Sequence, residues 1–310
     1  MLKKIENRLT NFFLKLIRKP SEFVKRFKHL IYIQINNINF FNGYKKNSDY
    51  AVVIHLYYTE SWSLLFESIS RLNTNFDLFV TIPKQNKFFI SQIKKDIKNS
   101  KVILVPNQGR DVLPFLYVAN KLYKRGYKYI LKLHSKKSTH RSDGSAWLEN
   151  MVNSLLPKNK QLMKKIYKII EDKKTAIIGP ADQYLSLKVN FDANGLYMDR
   201  ILRKIFTVEI VNKVLQTNRE DYGFFAGTMF WVRLDAIAPI LKIGLNSLDF
   251  ETEKGQIDGT LAHALERLFC LVPEFNKKLI YEIKTKDVLK VDYNNGTIPD
   301  WSNVYIGPKS

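Results

Sequence analysis

From residue 50 the chain alternates between short apolar runs and amphipathic stretches. "YAVVIHLYY" is a continuous apolar run starting at Tyr50, the pattern of a strand buried on both faces. In "SWSLLFESISRL", Trp62, Leu65, Phe66 and Ile69 recur at helical spacing. "FDLFVTIP" reads as a second strand stopped by Pro83, "KFFISQIKKDIKNS" as an amphipathic helix, and "KVILVP" as a third strand. The helix "VLPFLYVANKLYKRG" carries Pro114 in its first turn, where a missing N–H is tolerated, and ends at Gly126 as C-cap. "YKYILKL" is the fourth strand. Strands separated in this way by helical segments predict an α/β fold with a parallel sheet and right-handed crossovers.

The second half is less regular. Trp147 to Leu156 and Asn159 to Asp172 read as helices and "TAIIGP" as a strand. Residues 181–222 are polar, with helical character from Met198 to Leu215. "GFFAGTMFWVR" reads as one strong strand, "LDAIAPIL" as a short helix, and "GQIDGTLAHALERLF" as a helix whose N-terminus is marked by Asp258. "CLVPE" is expected to form a last strand, and Ile283 to Ser310 a loosely ordered tail. No repeat or low-complexity linker interrupts the pattern. The expected organisation is a basic amphipathic helical segment over 1–48, one domain over 49–282, and a tail over 283–310.

At 310 residues and 45% hydrophobic, the chain can bury a sizeable core. Its single Cys270 lies in the apolar run "RLFCLVPEF", so it reads as a core residue and the compartment as reducing. No segment reaches the ~18 uninterrupted apolar residues of a membrane span. The basic N-terminus lacks a small-residue cleavage site, which predicts a protein of the cytoplasmic side.

Charge changes the picture at one end. Residues 1–48 hold 11 Lys and Arg against Glu6 and Glu22, a net +9 of the chain's +21. There Leu9, Phe12, Phe13, Leu16 and Ile17 recur at helical spacing among Arg8, Lys15, Arg18 and Lys19. The pattern fits either a helix peripheral on anionic lipid or one packed on its own domain. Nucleic acid is not expected as a partner, because no zinc-finger spacing, RNP-type aromatic motif or Arg-rich tract is present.

Candidate chemistry gathers where an open α/β sheet binds ligands, beyond the C-terminal strand ends. Three segments converge there: "YYTES", "PNQGRD" and "HSKKSTH". In the second, Gly109 permits a positive φ or a close ligand approach, Arg110 supplies a planar fork of donors, and Asp111 suits a helix cap. The third offers His134, Ser135, Lys136 and Lys137 in succession, a set that suits a diphosphate. Lys132 either lines the crevice or sits on the wet face of an edge strand. Asp258 is either a general base or an N-cap. His263 and Arg267 fall one turn apart behind it, and His263 reads as a core histidine. No phosphate-binding glycine loop, zinc signature or Asp-x-Asp pair occurs, and no metal site is expected.

"PNQGRDVLPFL", "KYILKLHSKKS", Gly144, Trp147, "FFAGTMFWVR" and "DGTLAHALER" together resemble the rhamnan synthesis protein F family of bacterial surface-polysaccharide biosynthesis. The resemblance runs from about residue 50 to 275. It implies a glycosyltransferase of GT-A-like, mostly parallel architecture that uses a nucleotide-diphospho-sugar donor and a lipid-linked oligosaccharide acceptor. By that analogy Tyr57 and Tyr58 flank the nucleotide base, and Asn107, Gly109, Arg110 and Asp111 contact nucleoside or diphosphate. Asp258 becomes the base, Gly227 allows close approach beneath the acceptor, and Phe230 or Trp231 stacks on a sugar. Where the GT-A plan carries a metal-binding Asp-x-Asp, this chain reads "LHSKK", so Lys136, Lys137 and His134 are expected to replace the cation and no cofactor is required. The competing expectation is a non-catalytic module that binds glycan or lipid for a polysaccharide assembly complex.

Overall fold

The computed structural model describes residues 20–37, 44–135, 144–216 and 222–291. Ten strands lie among these residues: β1 (Tyr50–His55), β2 (Asp77–Pro83), β3 (Lys101–Val105), β4 (Tyr129–His134), β5 (Thr175–Gly179), β6 (Tyr184–Ser186), β7 (Gly223–Phe225), β8 (Phe230–Arg233), β9 (Leu279–Ile283) and β10 (Val288–Lys290). The helices are α1 (Pro20–Asn37), α2 (Trp62–Ile69), α3 (Ile90–Asp96), α4 (Val112–Lys124), α5 (Gly144–Leu155), α6 (Lys160–Glu171), α7 (Gly195–Leu202), α8 (Val208–Gln216), α9 (Ala238–Lys242) and α10 (Leu261–Phe275). None of them is long and apolar enough to cross a membrane.

Eight strands form one sheet in the order β10-β9-β5-β8-β4-β1-β2-β3. β1 to β4 are mutually parallel, as the alternation of strand and helix predicts. β8 runs antiparallel between β4 and β5, and β10 antiparallel beside β9. β6 and β7 form a separate two-stranded ribbon. Helices cover both faces of the sheet, which is why β1, β2, β4 and β5 are buried along their whole length.

Strand alternation divides the core into two layers. Val53, Phe79, Ile130 and Phe230 pack with α4 and α10 residues such as Phe115, Leu265 and Phe269. Val52, Ile54, Leu131, Leu133 and Trp231 pack with Leu65 of α2, Leu148 of α5 and Ile166 of α6. The same alternation puts Lys132 and His134 on the α4/α10 side, with Ile130, and Ser135 on the other.

Several expectations need correction. "GFFAGTMFWVR" is not one strand; it breaks at Gly227 (φ 87°) and Thr228 (φ 51°), so β7 leaves the main sheet and only β8 enters it. "CLVPE" lies inside α10, which continues through Pro273 to Phe275. The expected loose tail includes β10, paired with β9 through Val288 and Ile283. The apolar stripe from Leu9 to Ile17 lies outside the described residues, and α1 packs beside β3.

Candidate functional site

The loops after β1 and β3 and the end of β4 at Ser135 lie at one end of the sheet, together with the β7–β8 turn and residues 251–259 before α10. Their positions follow from a buried polar framework beneath them.

At its centre is Lys132. Far from an edge strand's wet face, it is only 1% exposed, because β4 is flanked by β1 and β8. Its ammonium donates to Asp111 Oδ2 at 2.5 Å, to the Thr228 carbonyl at 2.6 Å and to Thr228 Oγ1 at 3.0 Å. The Thr228 hydroxyl donates to the same carboxylate oxygen at 2.5 Å. The rings of Phe115 and Phe230 face the ammonium at 5.4 and 5.7 Å. Burial pushes the Asp111 carboxyl up, but the Lys132 charge, His134 and the hydrogen bonds from Lys132 and Thr228 outweigh it. They hold it well below the usual carboxylate range. Asp111 therefore neither caps α4 through its side chain nor faces a ligand; its oxygen anchors the β7–β8 turn to the sheet.

His134 and Ser135 are anchors too. Nε2–H of His134 donates to the Gly227 carbonyl at 2.5 Å, and the imidazole is 1% exposed, which removes it from direct proton shuttling. Ser135 Oγ accepts from the backbone N–H of Tyr57 at 2.8 Å and of Tyr58 at 2.7 Å. The hydroxyl oxygen thereby holds the β1 loop, and the Ser135 N–H donates to the His55 carbonyl at 3.0 Å. Both tyrosines are half-buried at the crevice mouth, their rings 4.9 Å apart edge to face. Lys136 and Lys137 lie outside the described residues.

The β3 loop is held from the opposite side. Gly109 (φ 65°) admits no side chain, since a Cβ there would meet Leu113 Cβ at 2.5 Å and Phe250 Cδ1 at 2.8 Å. Arg110 also has a positive φ, 55°. Its N–H donates to Glu253 Oε1 at 3.2 Å, and Nη2 donates to the Gln256 carbonyl, two residues before Asp258. Asn107 is exposed at the rim. Gln108, which the sequence did not single out, is buried and donates to the carbonyls of Ser247 and Phe250 at 2.9 and 3.0 Å.

Asp258 is not the N-cap of α10. Thr260 occupies that position, and Glu251 Oε2 accepts from the first helical N–H, Leu261, at 3.0 Å. The Asp258 side chain remains 33% exposed. Asn194 Nδ2 donates to its Oδ1 at 2.9 Å, and Arg267 Nη2 stands 3.4 Å from Oδ2. His263 Nδ1 lies 3.7 Å from Oδ1 and 2.9 Å from Thr260 Oγ1. Arg267 is fixed by the ring of Phe224 at 4.6 Å and by the His263 carbonyl, which accepts from Nη1 at 2.7 Å. Asp258 is thus an oriented, water-accessible carboxylate backed by a buried cation.

The expected acceptor platform is corrected. Phe230 and Trp231 are each 1% exposed. Phe230 packs on Phe115 and Phe269, and Trp231 on Tyr50 and Tyr167, so neither ring offers a free face to a sugar. Gly227 is half-buried: its N–H donates to Glu266 Oε1 at 2.7 Å, and a Cβ would strike the Trp147 ring at 2.8 Å. Asn194 and Glu266 were missed by the sequence reading. Glu266 had a visible signal, since it lies one helical turn beyond His263 beside Arg267.

At the end of β4 the described polar groups are engaged within the protein. His134 Nε2 is engaged as a donor, the Ser135 oxygen accepts from two amides, and among the described residues no three His, Cys, Asp or Glu side chains converge as ligands.

Comparison with known proteins completes the description. The curated relatives include the uncharacterized protein WxcX of Xanthomonas campestris pv. campestris, in two strains, 34% identical over 219 residues. The match takes in 70% of this chain, which spans about 30% of the relatives' length. Among solved structures, S. aureus TarS 1–349 aligns at a TM-score of 0.39 and 11% identity, over 78% of this chain and 59% of that one. The sequence profile of rhamnan synthesis protein F matches residues 1–278. The chain belongs to the rhamnan synthesis protein F family.

Proposed function

We propose that the chain is a glycosyltransferase of bacterial surface-polysaccharide biosynthesis that moves a sugar from a nucleotide-diphosphate donor to a lipid-linked glycan. The observation that supports this best is Asp258. It is an accessible carboxylate with no capping duty, held by Asn194 and Arg267 at the end of the sheet where the Tyr57, Asn107 and Arg110 loops open. In our reading Asp258 takes the proton of an acceptor hydroxyl as that oxygen bonds to the anomeric carbon. The bond from that carbon to the diphosphate oxygen breaks in the same step, and the electron pair leaves with the diphosphate. Lys136 and Lys137 neutralise the departing charge, in place of a divalent ion.

The family's description names rhamnan, so L-rhamnose, carried for example as its dTDP derivative, is the sugar we assign. Tyr57 and Tyr58 line the base subsite in this scheme. Lys132, Asp111, His134 and Ser135 act behind the site as positioning residues. The reaction belongs on the cytoplasmic face of the membrane, where nucleotide sugars are available. A panel of nucleotide sugars screened for thermal stabilisation, with and without EDTA, tests the reading. A raised Tm with one donor, unchanged by EDTA, supports it; no stabilisation by any donor counts against it.

A further inference from the structure

Several large apolar side chains exposed among the described residues gather along one rim, whereas Val208 and Ile210 stand on α8 and Leu289 on β10, at the far edge of the sheet. Val24, Ile31 and Ile35 form a stripe on α1, with Ile35 65% exposed. Phe88 is 71% exposed, Leu196 88%, and Ile257 stands next to Asp258.

Three contacts run α1 along the C-terminal strand ends. Near its start, Glu22 pairs with Lys254 at 2.7 Å, three residues before Ile257. In its middle, His29 Nδ1 donates to Gln108 Oε1 at 2.9 Å, in the loop after β3. Further along, the Lys84 ammonium lies 5.8 Å from the Tyr32 ring, at the end of β2. The segment carrying Phe88 borders the crevice, because Asn86 Nδ2 donates to the Tyr57 carbonyl at 2.5 Å. At the opposite end Leu196 sits two residues past Asn194, the partner of Asp258. The apolar groups thus follow the crevice mouth from the tyrosine loop to the carboxylate. Exposed Lys25, Lys28, Lys84 and Lys87 are interspersed with them.

Apolar side chains with ammonium groups beside them match one class of partner. Acyl chains receive the apolar groups, and lipid phosphates meet the cations at headgroup depth. A nucleic acid or an acidic protein would satisfy the lysines but leave Ile35, Phe88 and Leu196 in water. We infer that this rim docks on an anionic bilayer, with the crevice opening toward the interface, so that a lipid-linked acceptor meets Asp258 at the membrane surface. The inference rests on the glycosyltransferase reading, and it extends the lipid contact from the basic segment 1–48, which contains α1, to the rim of the site itself.

Co-sedimentation of the full chain with vesicles of phosphatidylcholine, alone or mixed with phosphatidylglycerol, tests it in the absence of sugar. The full chain should bind the mixed vesicles, and high salt should weaken that binding. Substituting Ile35→Ser, Phe88→Ser and Leu196→Ser together should cut the partition coefficient about tenfold or more, since all three groups are exposed and their replacement spares the core. Donor turnover without vesicles should be unchanged in that variant, which separates docking from chemistry. Equal partition of variant and parent overturns the inference, as does failure of the parent to bind mixed vesicles. Self-association without vesicles that the triple variant abolishes would assign the rim to a second copy of the chain and overturn it equally.

Discussion

The Lys132 ammonium and the Asp111 carboxylate meet at 2.5 Å in the core, their side chains 1% and 8% exposed. Both are buried, and between them they fix the turn that carries Gly227 and the start of α4. Removing one partner leaves the other charge buried and uncompensated. Lys132→Met and Asp111→Asn should each cost about 3–5 kcal/mol. The double variant Lys132→Met with Asp111→Leu should recover part of that loss. Urea midpoints of the three variants check this.

Ser135 links two loops through one oxygen. Ser135→Ala leaves the amides of Tyr57 and Tyr58 without their acceptor, at a cost of about 1–3 kcal/mol. If that loop holds the nucleotide base, donor affinity falls in a calorimetric titration, while kcat at saturating donor changes little.

His55 gives a pH signature. It is buried beside Thr81, its Nδ1 2.9 Å from the Thr81 hydroxyl oxygen, and burial lowers its pKa from 6.5 to about 4. The unfolded chain therefore binds a proton across a window in which the folded chain does not, so stability rises with pH there. The folded state should lose up to about 3 kcal/mol as pH falls from about 6.5 to about 4. His55→Asn should flatten that limb of a urea-midpoint profile.

Lys136 and Lys137 are assigned to the departing diphosphate. Replacing both with Ala should weaken nucleotide-sugar binding more than acceptor binding, and transfer should be insensitive to EDTA. Equal donor affinity in parent and variant would count against the assignment.

The parallel half of the sheet was legible because β1, β2 and β4 are buried on both faces and read as mostly apolar runs, β4 broken by Lys132. Asn159 at the start of α6 was equally plain: its side chain accepts from Gln161 and Leu162. β8 misled because "GFFAGTMFWVR" keeps strand-like composition through a turn that only Gly227 and Thr228 betray. "CLVPE" misled because Val272 and Pro273 suggest an edge strand, whereas packing of Leu268, Phe269 and Val272 carries α10 past the proline. At the site, the sequence reading assigned Asp111, His134 and Ser135 to the ligand, whereas in the structure each holds a neighbouring loop or turn. A polar residue at a strand end is equally suited to holding the next loop, and that choice depends on partners distant in sequence, such as Thr228 and Gly227. Lys132 was noticed but placed on the crevice or an edge strand, whereas a lysine between Leu131 and Leu133 in a central strand calls for a buried carboxylate.

The most direct test of the account is sugar transfer by Asp258→Asn. The amide keeps the size of the carboxylate and an oxygen for Asn194 but loses the charge facing the buried Arg267, so the urea midpoint should fall modestly while calorimetric donor affinity matches the parent. Transfer should fall by about 100-fold or more with loss of the base. Full transfer activity in Asp258→Asn, with fold and donor affinity intact, would contradict the central claim.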